Sequence, residues 1–219
     1  QGVHVIAFTD PFFGGPTIDR RFAAWKEITT VVGDNGFIYE GSGNDAIEDR
    51  GNHNRIDAGR GNNTIIVGTN TTIASSSGTD VITVKAGSGT TLIQEAGALG
   101  GAFNNGNDTI VFGAGIDEAN IFASFTAETT LEISLGTGDK IVIEGQTSDL
   151  SGLRRVNTFT FADGQSFTAQ QLLDMSVMAV NNSLDNVTID RSASTVNERI
   201  NNSGHFDTIL LGGGTTTVF

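Results

Sequence analysis

The chain has no cysteine, so no disulfide can staple it and no thiolate is available for zinc or for nucleophilic chemistry. Only 2 prolines stand among 219 residues, against 29 glycines. Glycine without proline points to many tight turns between ordered segments, not to a disordered linker. Basic residues are scarce: 12 Lys and Arg against 25 Asp and Glu give a net charge of −13, which repels nucleic-acid phosphates and anionic membranes and attracts cations. Nucleic acid is therefore not an expected partner. No apolar run approaches the roughly 18 residues of a membrane-spanning helix, so no transmembrane segment is expected, and no signal peptide opens the chain. A chain that begins with Gln1 reads as a processed product or an excised piece.

Catalytic spacings are missing too. His4, His53 and His205 are scattered, with neither an H-E-x-x-H helix motif nor a G-x-S-x-G elbow. Neighbouring acids such as Glu48 with Asp49, or Asp117 with Glu118, are expected by chance in so acidic a chain. The expectation is a protein that is not an enzyme.

What the sequence does have is a repeat. In blocks of nine, residues 40–66 read EGSGNDAIE, DRGNHNRID and AGRGNNTII, aligning Ile47, Ile56 and Ile65 in one column and Asp45, Asn54 and Asn63 in another. Neither the helical period of 3.6 nor the strand period of 2 produces this spacing. A tight turn followed by a short strand with one inward apolar residue does. In the same phase the column continues through Ala74, Thr83, Leu92, Gly101 and Ile110, so apolar occupancy is partial and local shifts are expected. GTDVITV and GNDTIVFG restate the motif around Asp80 and Asp108.

Four regions follow. Residues 1–39 do not repeat and read as an N-terminal cap, with VHVIAF as a strand, DPFFGGP as a break and TIDRRFAAWKEI as a short amphipathic helix. Residues 40–113 carry the nine-residue rhythm. Residues 114–180 change to alternating strands separated by Gly and Asp-Gly turns, an antiparallel meander; Thr168 to Gln171 forms a capping box leading into a short helix. Residues 181–219 return to repeat-like text, with Ile200, Ile209 and Val218 nine apart. The expected fold class is all-β: a parallel β-roll or β-solenoid with an antiparallel β-rich segment and one or two short helices.

In a Gly-x-Gly-Asn-Asp turn the glycines admit positive φ, and bared carbonyls together with the Asp carboxylate offer the hard oxygen ligands that Ca2+ takes in sets of six to eight. If successive strands alternate between two sheets, turns eighteen residues apart share an edge. Asp45 and Asn63 would then flank one cation, with Asn54 on the opposite edge. GSGNDAIED, GRGNNTIIV and NGNDTIVFG resemble the Gly-Gly-x-Gly-x-Asp-x-apolar-x nonapeptide of the RTX, or haemolysin-type, calcium-binding proteins. The text from GNDTIVFG through LEISLGTGDKIVIEG to TFTFADGQSFTAQQLL resembles the β-rich domain that commonly follows such repeats.

The resemblance implies a parallel β-roll, Ca2+ between turns, and type I secretion to the medium or cell surface. Its metal residues would be Gly41, Gly43, Asp45, Gly59, Gly61, Asn63, Asp80, Asp108 and Asp207. Asn replaces Asp at Asn63, and Asp207 fits only with a shifted Gly204. Neither Asp80 nor Asp108 has an obvious partner Asp eighteen residues away. The functional expectation is an extracellular or cell-surface Ca2+-binding protein with a structural or adhesive role: a surface-layer, matrix or filament subunit, self-assembling as a homo-oligomer or filament through open solenoid ends. Surface glycans are a further partner class, for which Phe12, Phe13 and Trp25 could form an aromatic platform. The alternative is a secretion and folding module of a larger secreted lipase, protease or polysaccharide-modifying enzyme.

Overall fold

The computed structural model describes residues 2–7, 17–20, 27–74, 78–94, 107–127, 130–146, 156–168, 171–172, 178–193, 198–213 and 216–218. Within them the chain alternates between two sheets. One sheet takes β1 (Gly2–Ala7), β3 (Glu27–Val32), β5 (Ala46–Asp49), β7 (Thr64–Ile66), β9 (Val81–Val84) and β11 (Asp108–Phe112) in that order, all parallel. The other takes β2 (Thr17–Asp19), β4 (Phe37–Tyr39), β6 (Arg55–Asp57), β8 (Thr72–Ala74) and β10 (Thr90–Gln94), likewise parallel. This is the expected β-roll.

Parallel, in-register stacking puts like residues over like. Ile47, Ile65, Ile82 and Ile110 pair in one sheet, while Ile18, Ile38, Ile56, Ile73 and Ile93 pair in the other. All nine are buried, and the two columns form the core. β-branched side chains suit the role because their restricted χ1 freedom is already spent in an extended strand.

The nine-residue phase breaks at two places before β11. Glu48 pairs with Ile66 and, past the turn, Asn52 bridges to Thr69; the turn after β7 is therefore one residue shorter than the turn after β5, and Ile73 and Ile82 fill the core columns where the unbroken phase pointed to Ala74 and Thr83. The connection from β9 to β10 is then two residues longer, so Ile93 takes the place expected of Leu92. Residues 1–39 also differ from expectation. β1 to β4 extend both sheets as further rungs instead of covering their ends. The expected helix there begins and ends in strand, at Thr17–Asp19 and from Glu27 onward, and Arg21 to Lys26 lie outside the described residues, as do Phe12 and Phe13.

The antiparallel segment completes the same two sheets. β12 (Phe122–Ala127), β13 (Thr130–Ser134) and β14 (Lys140–Glu144) form the expected meander, and β14 pairs parallel with β10. β15 (Val156–Thr160) pairs parallel with β11 and antiparallel with β16 (Ser166–Thr168). Here the core changes from Ile to Phe: the ring centroids of Phe112 and Phe161 lie 4.6 Å apart, and Phe161 meets Phe167 edge-on at 5.6 Å. Buried Gln146 ties the two sheets through both hydrogen bonds to the Val156 backbone, at 3.1 and 3.2 Å. The capping box forms as expected, with Thr168 N donating to Gln171 Oε1 at 2.9 Å and Gln171 N to Thr168 Oγ1 at 3.1 Å.

Residues 178–218 repeat the grammar. β17 (Met178–Asn182), β19 (Glu198–Asn202) and β21 (Thr216–Val218) form one parallel sheet; β18 (Thr188–Asp190) and β20 (Thr208–Leu210) form another. β18 has the same Thr-Ile-Asp text as β2, and in both only the Ile is buried.

Column membership sets the expected cost of truncation. Ile65→Ala should lower unfolding free energy by about 2 to 5 kcal/mol, whereas Ile66→Ala, whose half-buried side chain lies outside the core column, should cost clearly less. Chemical denaturation of both variants tests this, and equal losses would contradict the assigned register.

Candidate metal centre

Because every rung crosses from one sheet to the other and back, the turns form two edges. The first edge carries the turns that enter β5, β7, β9 and β11. Its sixth-place residues form one buried column: Asp45, Asn63, Asp80 and Asp108 are 2%, 1%, 0% and 0% exposed. The column is knitted lengthwise, as Asp45 N donates to Asn63 Oδ1 at 2.9 Å, Asn63 N to Asp80 Oδ1 at 2.8 Å, and Asp80 N to Asp108 Oδ1 at 2.8 Å. Beside it a solvent-facing column runs the opposite way, with Asn62 N donating to Asn44 Oδ1 and Thr79 N to Asn62 Oδ1, both at 2.9 Å. Each turn thus holds its neighbour by bonds of both directions.

The structure supplies the partners that sequence spacing hid. Asp80 lies one rung from Asn63 at a separation of 17 residues, and Asp108 one rung from Asp80 at a separation of 28. The extra length between β10 and β11 contains residues 95–106, which lie outside the described residues. Asp80 and Asp108 are therefore stacked, fully buried carboxylates, one rung apart at roughly 4.8 Å. Two unit negative charges at about 5 Å repel by on the order of 3 kcal/mol at an effective dielectric constant near 20. Asn63, with the same shape and no charge, separates Asp45 from Asp80 and relieves that repulsion in the lower part of the column.

The glycines of this edge fit close stacking. A Cβ on Gly59 or Gly61 would stand 2.0 Å from the carbonyl oxygen of Gly41 or Gly43, and one on Gly78 would stand 1.9 Å from that of Gly61. Gly59 and Gly61 also have positive φ, 70° and 111°. Carbonyls and carboxylates are hard oxygen donors suited to Ca2+, and the donor set along this edge fits that ion in kind. Among the described residues no three His, Cys, Asp or Glu side chains converge on one point. A cation between neighbouring rungs would draw on the adjoining carboxylates of Asp80 and Asp108, or lower in the column on Asp45 with the Asn63 amide oxygen, together with turn carbonyls.

The second edge, carrying the turns that enter β4, β6, β8 and β10, is built differently. Buried Asn54 accepts from Gly36 N at 2.6 Å and donates through Nδ2 to Gly33 O at 2.8 Å and to Asp49 Oδ1 at 2.7 Å. Asp49, buried within the core column, also accepts from Gly51 N at 2.9 Å and Thr71 Oγ1 at 2.8 Å. Nothing periodic in the text singled out Asp49. His53 stands exposed at the tip of its turn with φ 57°. Asp207 belongs to the separate stack of residues 178–218, where its Oδ1 accepts from Val187 N at 2.7 Å.

One further acid joins the antiparallel segment to the roll. Asp139 sits in the β13–β14 turn, 7% exposed, and its carboxylate accepts from Gly87 N at 2.7 Å, Gly89 N at 2.8 Å and Thr137 Oγ1 at 2.5 Å. Its Gly-Thr-Gly-Asp text has the glycine spacing of the repeats, a signal readable before the structure. Residues 131–171 match the model of the haemolysin-type calcium binding protein related domain. The match runs from β13 to the capping box and supports an RTX-like calcium-binding repeat protein; calcium binding by the chain is what this domain implies. A search of curated proteins found no match. The matched segment forms the last rung of the roll among the described residues, fastened by Asp139, Gln146 and the phenylalanine cluster.

Burial alone would raise the Asp139 carboxyl, but the hydrogen bonds from Thr137, Gly87 and Gly89 outweigh it and hold the group below its usual range. A carboxyl depressed in the folded state contributes stability above its unfolded value of about 3.9 and loses it as pH falls through the folded value. Asp139→Asn should therefore flatten the loss of stability on acidification below about pH 4, measured by denaturation at stepped pH. An unchanged slope would contradict the clamp.

Proposed function

We propose that the chain is a calcium-stabilised β-roll with no enzymatic activity, serving outside the cell as a structural or adhesive element. The observation that carries this reading is the buried column Asp45, Asn63, Asp80 and Asp108 on one turn edge. Three carboxylates in one file repel one another in the absence of a cation. A divalent ion between rungs converts that repulsion into a cross-link, so folding and metal binding become one process. Millimolar extracellular Ca2+ would favour the folded roll. One further fact supports an external role: proteins with the matched family domain are typically secreted.

The way the chain is used supports a scaffold role. The described residues are spent on stacked rungs with two opposed outer faces, a geometry that lengthens without changing its cross-section. Assembly with further copies would use the open ends of the stack, and surface glycan contacts its outer faces. Calcium titration calorimetry on the wild type, Asp80→Asn and Asp108→Asn tests the metal reading. Both variants keep the side-chain oxygen that accepts the neighbouring amide, as Asn63 does, and exchange the second carboxylate oxygen, with its charge, for an amide NH2. Each should weaken Ca2+ binding at least tenfold while leaving the β-sheet circular dichroism in place; unchanged affinity in both would overturn the reading.

A further inference from the structure

We infer that the second turn edge is locked by side-chain and backbone hydrogen bonds that require no cation, and that Asp207 belongs to this lock and is not a metal ligand. The lock appears twice, in turns far apart in sequence, with the same four bonds. In the roll, Asn52 N donates to Asp34 Oδ1 at 2.9 Å, Asn35 N to Asn52 O at 2.9 Å, Gly36 N to Asn54 Oδ1 at 2.6 Å and Arg55 N to Gly36 O at 2.8 Å. In residues 184–208, His205 N donates to Asp185 Oδ1 at 2.8 Å, Asn186 N to His205 O at 2.9 Å, Val187 N to Asp207 Oδ1 at 2.7 Å and Thr208 N to Val187 O at 2.9 Å. In each lock two bonds run up the stack and two run down, and in each direction one acceptor is a side-chain oxygen and the other a backbone carbonyl; the first edge shares three of these bonds, Asn62 N to Asn44 Oδ1, Asp45 N to Asn63 Oδ1 and Thr64 N to Asp45 O, so the contrast between the edges lies in buried charge.

Both turns share a left-handed residue between the two locking positions. Asn35 and His53 have φ 57° in the roll; Asn186 and Phe206 have φ 57° and 60° in the second stack. Left-handed geometry is unfavourable for a bulky aromatic, and Phe206 is 89% exposed, so core packing does not hold it there. The four bonds around it do. Polarity separates this edge from the first. Its inner acceptor in the roll is neutral Asn54, and the outer acids Asp34 and Asp185 face solvent, where water screens their charge. No pair of fully buried carboxylates is stacked in these two locks, so the repulsion that a cation relieves on the first edge has no counterpart here.

The first part of the test is hydrogen exchange on the full chain, in Ca2+ and in chelator. Amides of Gly36, Asn52, Val187 and His205 should keep their protection within a factor of about two when calcium is removed; loss of tenfold or more at these amides would overturn the lock. This inference rests on the calcium reading only for the contrast between edges. If the amides of Asp45, Asn63 and Asp80 also hold their protection in chelator, the calcium reading falls and the lock stands. The second part is Asp207→Ala, with Asp207→Asn as the conservative control. Asp207→Ala should lose protection at Val187 at least tenfold with the number of Ca2+ bound unchanged, and Asp207→Asn should restore it. A drop of one bound Ca2+ in Asp207→Ala would overturn the assignment.

Discussion

Everything in this fold depends on one constraint: parallel strands stacked in register bring each residue within a rung's height of its counterpart. Apolar columns gain from this, because Ile over Ile fills the space between the sheets without voids. Polar columns gain when the side chain above can accept the backbone N–H below, as Asn63 does for Asp45. Charged columns lose, because the same stacking that aligns acceptors aligns like charges. The chain meets this conflict in two ways. On the second edge it buries an amide, Asn54, satisfies the one buried acid, Asp49, with donors from Asn54, Gly51 and Thr71, and leaves Asp34 in water; on the first it stacks buried acids, whose repulsion a cation would relieve.

The antiparallel segment follows from the same constraint. A parallel stack has no intrinsic stopping point, since each rung offers a complete set of donors and acceptors to the next. β12 to β16 end the regular stack of this roll by turning the chain back on itself in both sheets. The larger Phe112, Phe159 and Phe161 side chains close the core there. Asp139 grips two amides of the β9–β10 turn, which makes the family-matched domain part of the roll's own architecture and not an appendage to it.

Much of this was legible in the text, and the failures have physical causes. Ile47, Ile56 and Ile65 could be read as a core column because the nine-residue blocks there are intact. The column was lost after Ile65 because one turn is a residue shorter and the β9–β10 connection two residues longer, which shifts the phase without disturbing the sheets. Asp80 and Asp108 looked solitary for a related reason: hydrogen bonding ignores the length of a loop, and 28 residues can separate neighbours in a stack. β4 carries the period, since Ile38 follows the Gly33 to Gly36 turn nine residues before Ile47, but β1 to β3 have strand text without glycine-rich turns at that spacing, so their place in the sheets was invisible. Asp49 left no signal, because its role is set by Asn54 and Thr71 from other turns.

The claim at the centre of this account is that one edge of the roll holds calcium and the other does not. Anomalous difference density from crystals grown in Ca2+ measures it directly. Peaks are expected along the first edge, between the rungs of Asp45, Asn63, Asp80 and Asp108, and none within the turns of Asp34, Asn54, Asp185 and Asp207. Density confined to the second edge, or a first edge without any, would contradict it.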